Sequence, residues 1–303
     1  MTERLPDSLV TAEWLADHLS DENIRVVDIR GYVHTEDLGG GRQRATYSGA
    51  LDEYLESHIP GSVFVDWTSD ITDPNADVKA QIAPPDLFRQ RMEAIGVGDD
   101  SSVVIADHTG GHMATRLWWA LAYYGKEDVA VLDGGFNRWH QLGLPLTTEV
   151  SSIPDAIFTP RICPWLRATA EEVHREIARD SRQIVDARDV GMFSGATQRG
   201  RRGGHIPGAV SLPAASLVRR NGQWLSREEI RLEAERAGVR LDQPVTAYCN
   251  GGVTATALLF GLHRAGVPMS SVTNYDGSWN EWGEREDLPA EGNQDLFNVP
   301  GDD

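Results

Sequence analysis

Several things are scarce in this chain of 303 residues, and each scarcity narrows what it can be. Cysteine occurs only at Cys163 and Cys249, and the stretch Met1-Thr2-Glu3-Arg4-Leu5-Pro6 has no basic-then-apolar character. A disulfide framework is therefore not expected, and both thiols read as reduced, in a cytoplasmic setting. No apolar run reaches the roughly 18 residues needed to cross a bilayer. Lysine occurs only at Lys79 and Lys126, so positive charge is almost entirely arginine, and the formal net charge is −18. Nucleic acid and anionic membranes are thus not expected as partners, and an anionic substrate would depend on local arginines acting against the overall field. His108 and His112 lie four apart, but no third ligand is spaced to join them and they open a turn, so neither a metal nor another cofactor is expected.

What is present is a repeat. With 40% apolar residues and nine tryptophans, the chain can fill two cores, the natural number for its length. The first half runs from a strand pattern at 25–29 through Ser57-His58-Ile59-Pro60-Gly61, a strand pattern at 102–106, a Gly110-Gly111 turn and a helical run to Tyr124. It closes on a strand pattern at 129–132 and Asp133-Gly134-Gly135-Phe136-Asn137-Arg138-Trp139. The second half repeats this order, with Ile184-Val185-Asp186, Gly204-His205-Ile206-Pro207-Gly208, a turn at Cys249 and Asp276-Gly277-Ser278-Trp279-Asn280-Glu281-Trp282. Asp28 pairs with Asp186, His58 with His205, Gly110 with Gly251 and Asp133 with Asp276, at nearly constant spacing, so the domain is duplicated.

Short apolar strands alternate with helical patterns at 84–95, 113–124, 168–178 and 227–237. That alternation predicts an α/β fold in which each copy is a mainly parallel sheet with helices on both faces. The expected division is a domain at 1–146, a proline-bearing linker at 147–167 and a domain at 168–303. The stretch 31–49, with Gly39-Gly40-Gly41, reads as a long loop, and the acidic tail after Leu288 as loosely held.

Chemistry concentrates at Cys249-Asn250-Gly251-Gly252-Val253-Thr254. A strand pattern at 244–248 leads into it and a helical run at 255–265 leads out. A cysteine at a strand-to-helix switch, at the carboxyl end of a parallel strand, is where such sheets place their sites. Backbone N–H groups and the helix N-terminus there favour thiolate over thiol, and glycine lets the backbone approach a substrate closely. The plainer reading is a small buried apolar cysteine before a helix. Aligning the glycine pairs puts His108 where the second copy has Cys249 and His112 where it has Val253. The first copy keeps the scaffold and lacks the thiol.

The paired His-Ile-Pro-Gly turns, the Asp-Gly-Ser-Trp-Asn-Glu-Trp stretch and the Cys-Asn-Gly-Gly-Val-Thr loop together resemble the tandem-domain rhodaneses, the thiosulfate and 3-mercaptopyruvate sulfurtransferases. The resemblance extends over about 9–289. It implies a silent first domain and a second domain in which Cys249 takes sulfur from an anionic donor as a persulfide. The sulfur then passes to cyanide or a thiol, and a sulfur-acceptor protein is a further partner consistent with the family. The resemblance also implies that Arg188, after Asp186-Ala187, binds the donor together with residues 250–254. A second donor arginine would come from Arg199, Arg201 or Arg202, with the choice among them open because this loop is shortened.

The loop departs from both family patterns. Thiosulfate enzymes typically have Cys-Arg-Lys-Gly-Val-Thr and mercaptopyruvate enzymes Cys-Gly-Ser-Gly-Val-Thr, whereas Asn250 and Gly251 supply neither the lysine nor the serine. Thiosulfate is the expected donor on the ground that a plain glycine loop still stabilises a persulfide; 3-mercaptopyruvate is the alternative. A cysteine phosphatase would need an arginine six residues after the cysteine, where Ala255 stands. A persulfide carrier that binds a partner without turning over would need the same loop and stays open.

Overall fold

The computed structural model describes residues 5–179 and 181–292. Its first half runs β1 (Leu9–Val10), α1 (Ala12–His18), β2 (Ile24–Asp28), β3 (Gly31–Gly39), β4 (Arg42–Gly49), α2 (Leu51–Glu56), β5 (Val63–Phe64), α3 (Pro85–Ala94), β6 (Ser102–Ala106), α4 (His112–Tyr123), β7 (Val129–Leu132) and α5 (Gly135–Gln141). The second half runs β8 (Arg167–Ala168), α6 (Ala170–Arg179), β9 (Gln183–Asp186), α7 (Val190–Ser194), β10 (Val210–Ser211), α8 (Arg227–Ala237), β11 (Val245–Tyr248), α9 (Thr254–Arg264), β12 (Val272–Tyr275) and α10 (Ser278–Trp282).

Two five-stranded sheets, ordered β1-β7-β6-β2-β5 and β8-β12-β11-β9-β10, carry the same topology, and every pairing within them is parallel. The middle strands β6 and β11 are buried along their whole length, as expected of apolar runs covered by helices on both faces. The turn after β11 is therefore fixed by a strand hydrogen-bonded on both edges.

The two copies share one core. Helix α4 packs on α9, where Trp118 meets Phe260 edge-on at 5.0 Å between ring centroids and the Thr256 hydroxyl donates to the Thr115 hydroxyl at 3.2 Å. A single buried cluster runs from Val27 in the first sheet to Val272 in the second.

The long loop expected at 31–49 is instead an antiparallel hairpin, β3 with β4. Its tip is Gly39-Gly40-Gly41, all three in the left-handed region, where glycine carries no Cβ penalty. Because the strands face solvent along much of their length, the hairpin has no run of apolar residues to announce it. It belongs to the first domain but reaches the second, where Gln43 N–H donates to Gln198 O and Gln198 N–H donates to Gly41 O.

Residues 148–163 form no helix or strand, yet they are held against the first domain. Asp99 N–H donates to Ile157 O, Cys163 N–H to Tyr123 O, and Phe158 is buried. Past Leu288, Glu291 exchanges two backbone hydrogen bonds with His205, so this part of the tail is tied down; residues 293–303 lie outside the described ones. The two histidine turns are held in place as well. His58 stacks on Tyr54 and its Nδ1–H donates to Tyr54 O, while His205 stacks on Phe193 and its Nδ1–H donates to Phe193 O.

Candidate functional site

Strand β11 ends at Tyr248, and the next residues turn sharply into α9. Cys249 N–H donates to Ser278 Oγ at 3.0 Å, Trp279 N–H donates to Cys249 O at 3.0 Å, and Asn280 N–H donates to Asn250 O at 2.7 Å. The start of α10 thus clamps the loop. Gly252 has φ +72°, and a Cβ there would lie 2.5 Å from Asp276 O. Only two non-glycine residues among those described have a left-handed φ, Ala80 at 68° and Ser278 at 51°, and both touch this loop. Backbone strain of this kind persists where the surroundings impose it, commonly at functional sites.

The first copy shows what this backbone geometry attracts. There the Asp107 carboxylate accepts hydrogen bonds from the N–H groups of Thr109, Gly111, Met113 and Ala114 at 2.9–3.2 Å, and from the Thr109 hydroxyl at 2.7 Å. A built-in anion fills the cradle. In the second copy the residue at the position of Asp107 is Tyr248, whose hydroxyl accepts from Ile206 N–H instead. The N–H groups of residues 250–255 donate to no acceptor among the described residues. Gly110 and Gly111 both have positive φ whereas only Gly252 does in the second loop, so the two turns are related but not superposable.

Cys249 lies on the wall of a cavity of about 480 Å³, lined from both domains. Residues 250, 251, 253 and 254, Arg188 and Arg199 line it too. Gly252 sits behind the loop against Asp276.

The four arginines named from the sequence have different fates. Arg188 is buried, and its guanidinium holds Asp186 through Nε (2.9 and 3.0 Å) and Nη2 (2.6 Å) and donates to Gly204 O at 2.7 Å. It also lies 4.5 Å from the centroid of the Trp279 ring. Most of its hydrogen-bonding capacity is taken up within the fold, and Asp28 with Arg30 repeats the pair in the first domain. Arg199 reaches the cavity and is steadied by the hairpin, donating to Gln43 Oε1 at 3.2 Å and Thr35 Oγ1 at 2.9 Å. Burial pulls its guanidinium below the usual value, opposed by Tyr47, Asp189 and Cys249, yet an arginine remains charged at any physiological pH. Arg201 turns outward to Glu286 at 2.8 Å and does not line the cavity. Arg202 donates to the carbonyls of Trp282, Gly283, Arg285 and Leu288, which makes it a clasp for the end of α10.

Sequence reasoning passed over several lining residues. Tyr47 comes from the hairpin and His112 from the first copy's loop. Burial raises the Tyr47 phenol, so it stays a neutral O–H; burial lowers His112, with Asp107 opposing, so it stays a neutral imidazole. The Gly-Gly-Gly tip between two mostly polar flanks was the signal for the hairpin. Nothing in the sequence signals that the first copy's turn faces the second copy's cysteine.

Cys163 lies in a different and larger cleft of about 850 Å³ on the rim of the domain junction, with Trp118, Lys126 and His263. Burial, with Glu127 adding to it, pushes its thiol up, which is the reverse of what a nucleophile needs. Size does not mark the site here. Among the described residues no three or more His, Cys, Asp or Glu side chains gather as a metal site, and no helix is long and apolar enough to cross a membrane.

Two copies of one α/β unit, with a cysteine turn at the end of the central strand of the second, define a class that comparison with known proteins identifies. The rhodanese-like domain model matches residues 11–142 and 169–285. The chain is 33% identical over 285 residues to a 3-mercaptopyruvate sulfurtransferase of Escherichia coli (strain K12), covering 93% of this chain and 97% of that one. It is 32% identical to a thiosulfate sulfurtransferase of Gallus gallus over 290 residues, 93% and 96% of the two chains. The crystal structure of SseA from Escherichia coli, described as having the rhodanese fold, aligns with a TM-score of 0.78 at 31% identity, over 90% of this chain and 98% of that one. The chain belongs to the tandem-domain rhodanese family. The expectation that thiosulfate leads is not supported: 3-mercaptopyruvate recurs more often in the names of the relatives. That expectation rested on one missing serine in a six-residue loop, whereas the similarity to those relatives runs through nearly the whole chain.

Proposed function

We propose that this protein is a sulfurtransferase in which Cys249 accepts a sulfur atom from 3-mercaptopyruvate and passes it to a thiol or cyanide. The observation that carries the reading is the amide cradle, filled by the Asp107 carboxylate in the first copy and left without a protein anion in the second, beside the one cysteine that lines the cavity.

In the first half-reaction the Cys249 thiolate attacks the donor sulfur. The C–S bond breaks, its electron pair stays on carbon as the enolate of pyruvate, and the enolate takes up a proton. Cys249 keeps the sulfur as a persulfide. In the second half-reaction the acceptor's nucleophilic sulfur or carbon attacks the outer sulfur, the S–S pair returns to Cys249 as thiolate, and the acceptor leaves as a persulfide or thiocyanate. The outer sulfur is the new anion at the loop, and N–H donors in place beforehand stabilise it without reorganising.

Charge favours the keto-thiol over thiosulfate. The loop itself has no cation, Arg188 is neutralised by Asp186, and Arg199 is the arginine left to face a donor. One guanidinium suits a single carboxylate, held in bidentate fashion, better than a dianion in a chain of net charge −18. The test is the ratio of kcat/KM for 3-mercaptopyruvate to that for thiosulfate with a common acceptor. A ratio above about 10, some 1.4 kcal/mol of transition-state preference, is expected, and a ratio below 1 would reverse the assignment. Intact mass after donor treatment is expected to show one added sulfur.

The same reading separates the arginines. Arg199→Ala is expected to raise the donor KM roughly tenfold or more and to change the acceptor KM little. Arg201→Ala should alter neither, because an exposed pair such as Arg201–Glu286 contributes only about 0–1 kcal/mol to the fold. Steady-state kinetics on both variants decide it.

A further inference from the structure

The first domain has no thiol, yet one of its side chains reaches the loop that does. Arg116, on α4, is 1% exposed and crosses the domain junction. Its Nη1 donates to Asp276 Oδ1 at 2.7 Å and to Gly252 O at 3.2 Å, and its Nη2 donates to Ala80 O at 2.7 Å. Gly252 O accepts a second hydrogen bond from Asn274 Nδ2 at 3.0 Å. One carbonyl of the cysteine loop is therefore held by a donor from each domain.

The consequence follows from peptide geometry. In a trans peptide the C=O and N–H point to opposite sides, and none of the described peptides is cis. Drawing Gly252 O toward the domain junction directs the Val253 N–H the other way, and that N–H is one of those with no protein acceptor. Glycine at 252 makes the orientation vulnerable. Without a Cβ the backbone there rotates cheaply, so its neighbours have to impose the direction. Charge balance alone does not require Arg116, because Asp276 Oδ2 already has Arg167 Nε at 3.3 Å and accepts from Ile82 N–H at 2.9 Å. The aligned position in the second copy is Ala257, so the device exists once, pointing from the silent domain into the active one.

From this geometry we infer that Arg116 is a positioning residue: the first domain uses it to fix the Gly252–Val253 peptide so that the cradle presents its N–H groups to an anion. The inference rests on the cradle reading above and assigns a task to the domain that has lost its nucleophile.

The test uses two alkylating reagents on the full chain. Iodoacetate and iodoacetamide react with the same Cys249 thiolate and differ in a carboxylate, so the ratio of their rates cancels changes in thiolate fraction, and its change between wild type and variants, in which Arg199 is common, reports the cradle's preference for anions. Peptide mass mapping confines the measurement to Cys249. Arg116→Lys keeps the charge beside Asp276 but replaces the planar fork by a single ammonium group that cannot span all three acceptors. Asn274→Ala removes the other donor to the same carbonyl and leaves the interdomain ion pair intact. Each variant is expected to lower the iodoacetate/iodoacetamide ratio about tenfold relative to the wild-type protein, with kcat for sulfur transfer falling more than the donor KM rises. An unchanged ratio in an Arg116→Lys protein that retains the wild-type circular dichroism overturns the role of Arg116, even if its melting temperature drops. A wild-type protein with the ratio of a free small thiol would instead sink the cradle reading itself, so the two failures are distinguishable.

Discussion

Cys249→Ser is expected to abolish sulfur transfer, with kcat falling by at least about 10³-fold, while Cys163→Ser leaves it within twofold of the wild-type protein. A serine hydroxyl is isosteric enough to keep the turn, since the loop is clamped through the backbone of Cys249 and Asn250 and not through the thiol. It cannot hold a sulfane sulfur, so the covalent route is closed and not merely slowed. Cys163 supplies the contrast. It sits in another cleft, and burial holds its thiol in the protonated form. Thiocyanate or persulfide formation in the two single variants, with intact mass to detect the sulfur adduct, checks this. Retention of the adduct in Cys249→Ser and its loss in Cys163→Ser would require a different nucleophile.

Gly252→Ala is expected to reduce kcat/KM by about 10²–10³-fold, the cost typical of removing a preorganised donor from a site that stabilises a developing anion. The introduced methyl meets Asp276 O at 2.5 Å at a φ of +72°, so the backbone must move, and the movement turns the Val253 N–H away from the cavity. Strain in that region costs on the order of 1–3 kcal/mol. At roughly 2–4 °C per kcal/mol for a domain of this size, the melting temperature is expected to fall by some 2–12 °C. Gly143→Ala is the control. It too has a positive φ (+65°), but its Cβ would meet nothing within 4 Å, so it should lose stability without losing activity. Equal loss of activity in both variants would mean that the loop geometry at 252 has no special part in the reaction.

A great deal of the fold is legible in the chain because it is written twice. The strand patterns ending near Asp28 and Asp186 and the runs before Gly110 and Gly251 fall at corresponding places in sheets of identical strand order. Local periodicity sufficed there because central parallel strands are buried on both faces and so must be apolar throughout. It failed for 31–49, where a solvent-facing hairpin satisfies its backbone by pairing and needs no apolar stripe. Among the arginines, the sequence marked a stretch but not which member lines the cavity. Arg199, Arg201 and Arg202 lie within four positions, and which of them meets the cavity depends on the hairpin that catches Arg199 and on the α10 carbonyls that catch Arg202.

The sequence by itself determined the duplication, the parallel α/β architecture and the cysteine turn between a buried strand and a helix, because these follow from residue spacing and from what glycine and apolar runs permit locally. Only the tertiary structure decided that the first copy's cradle is occupied by its own Asp107 while the second stands without a protein anion, and that Arg116 reaches across to hold Gly252. Those outcomes depend on where side chains and carbonyls far apart in the chain come to rest, and two copies of one fold packed along α4 and α9 bring them together.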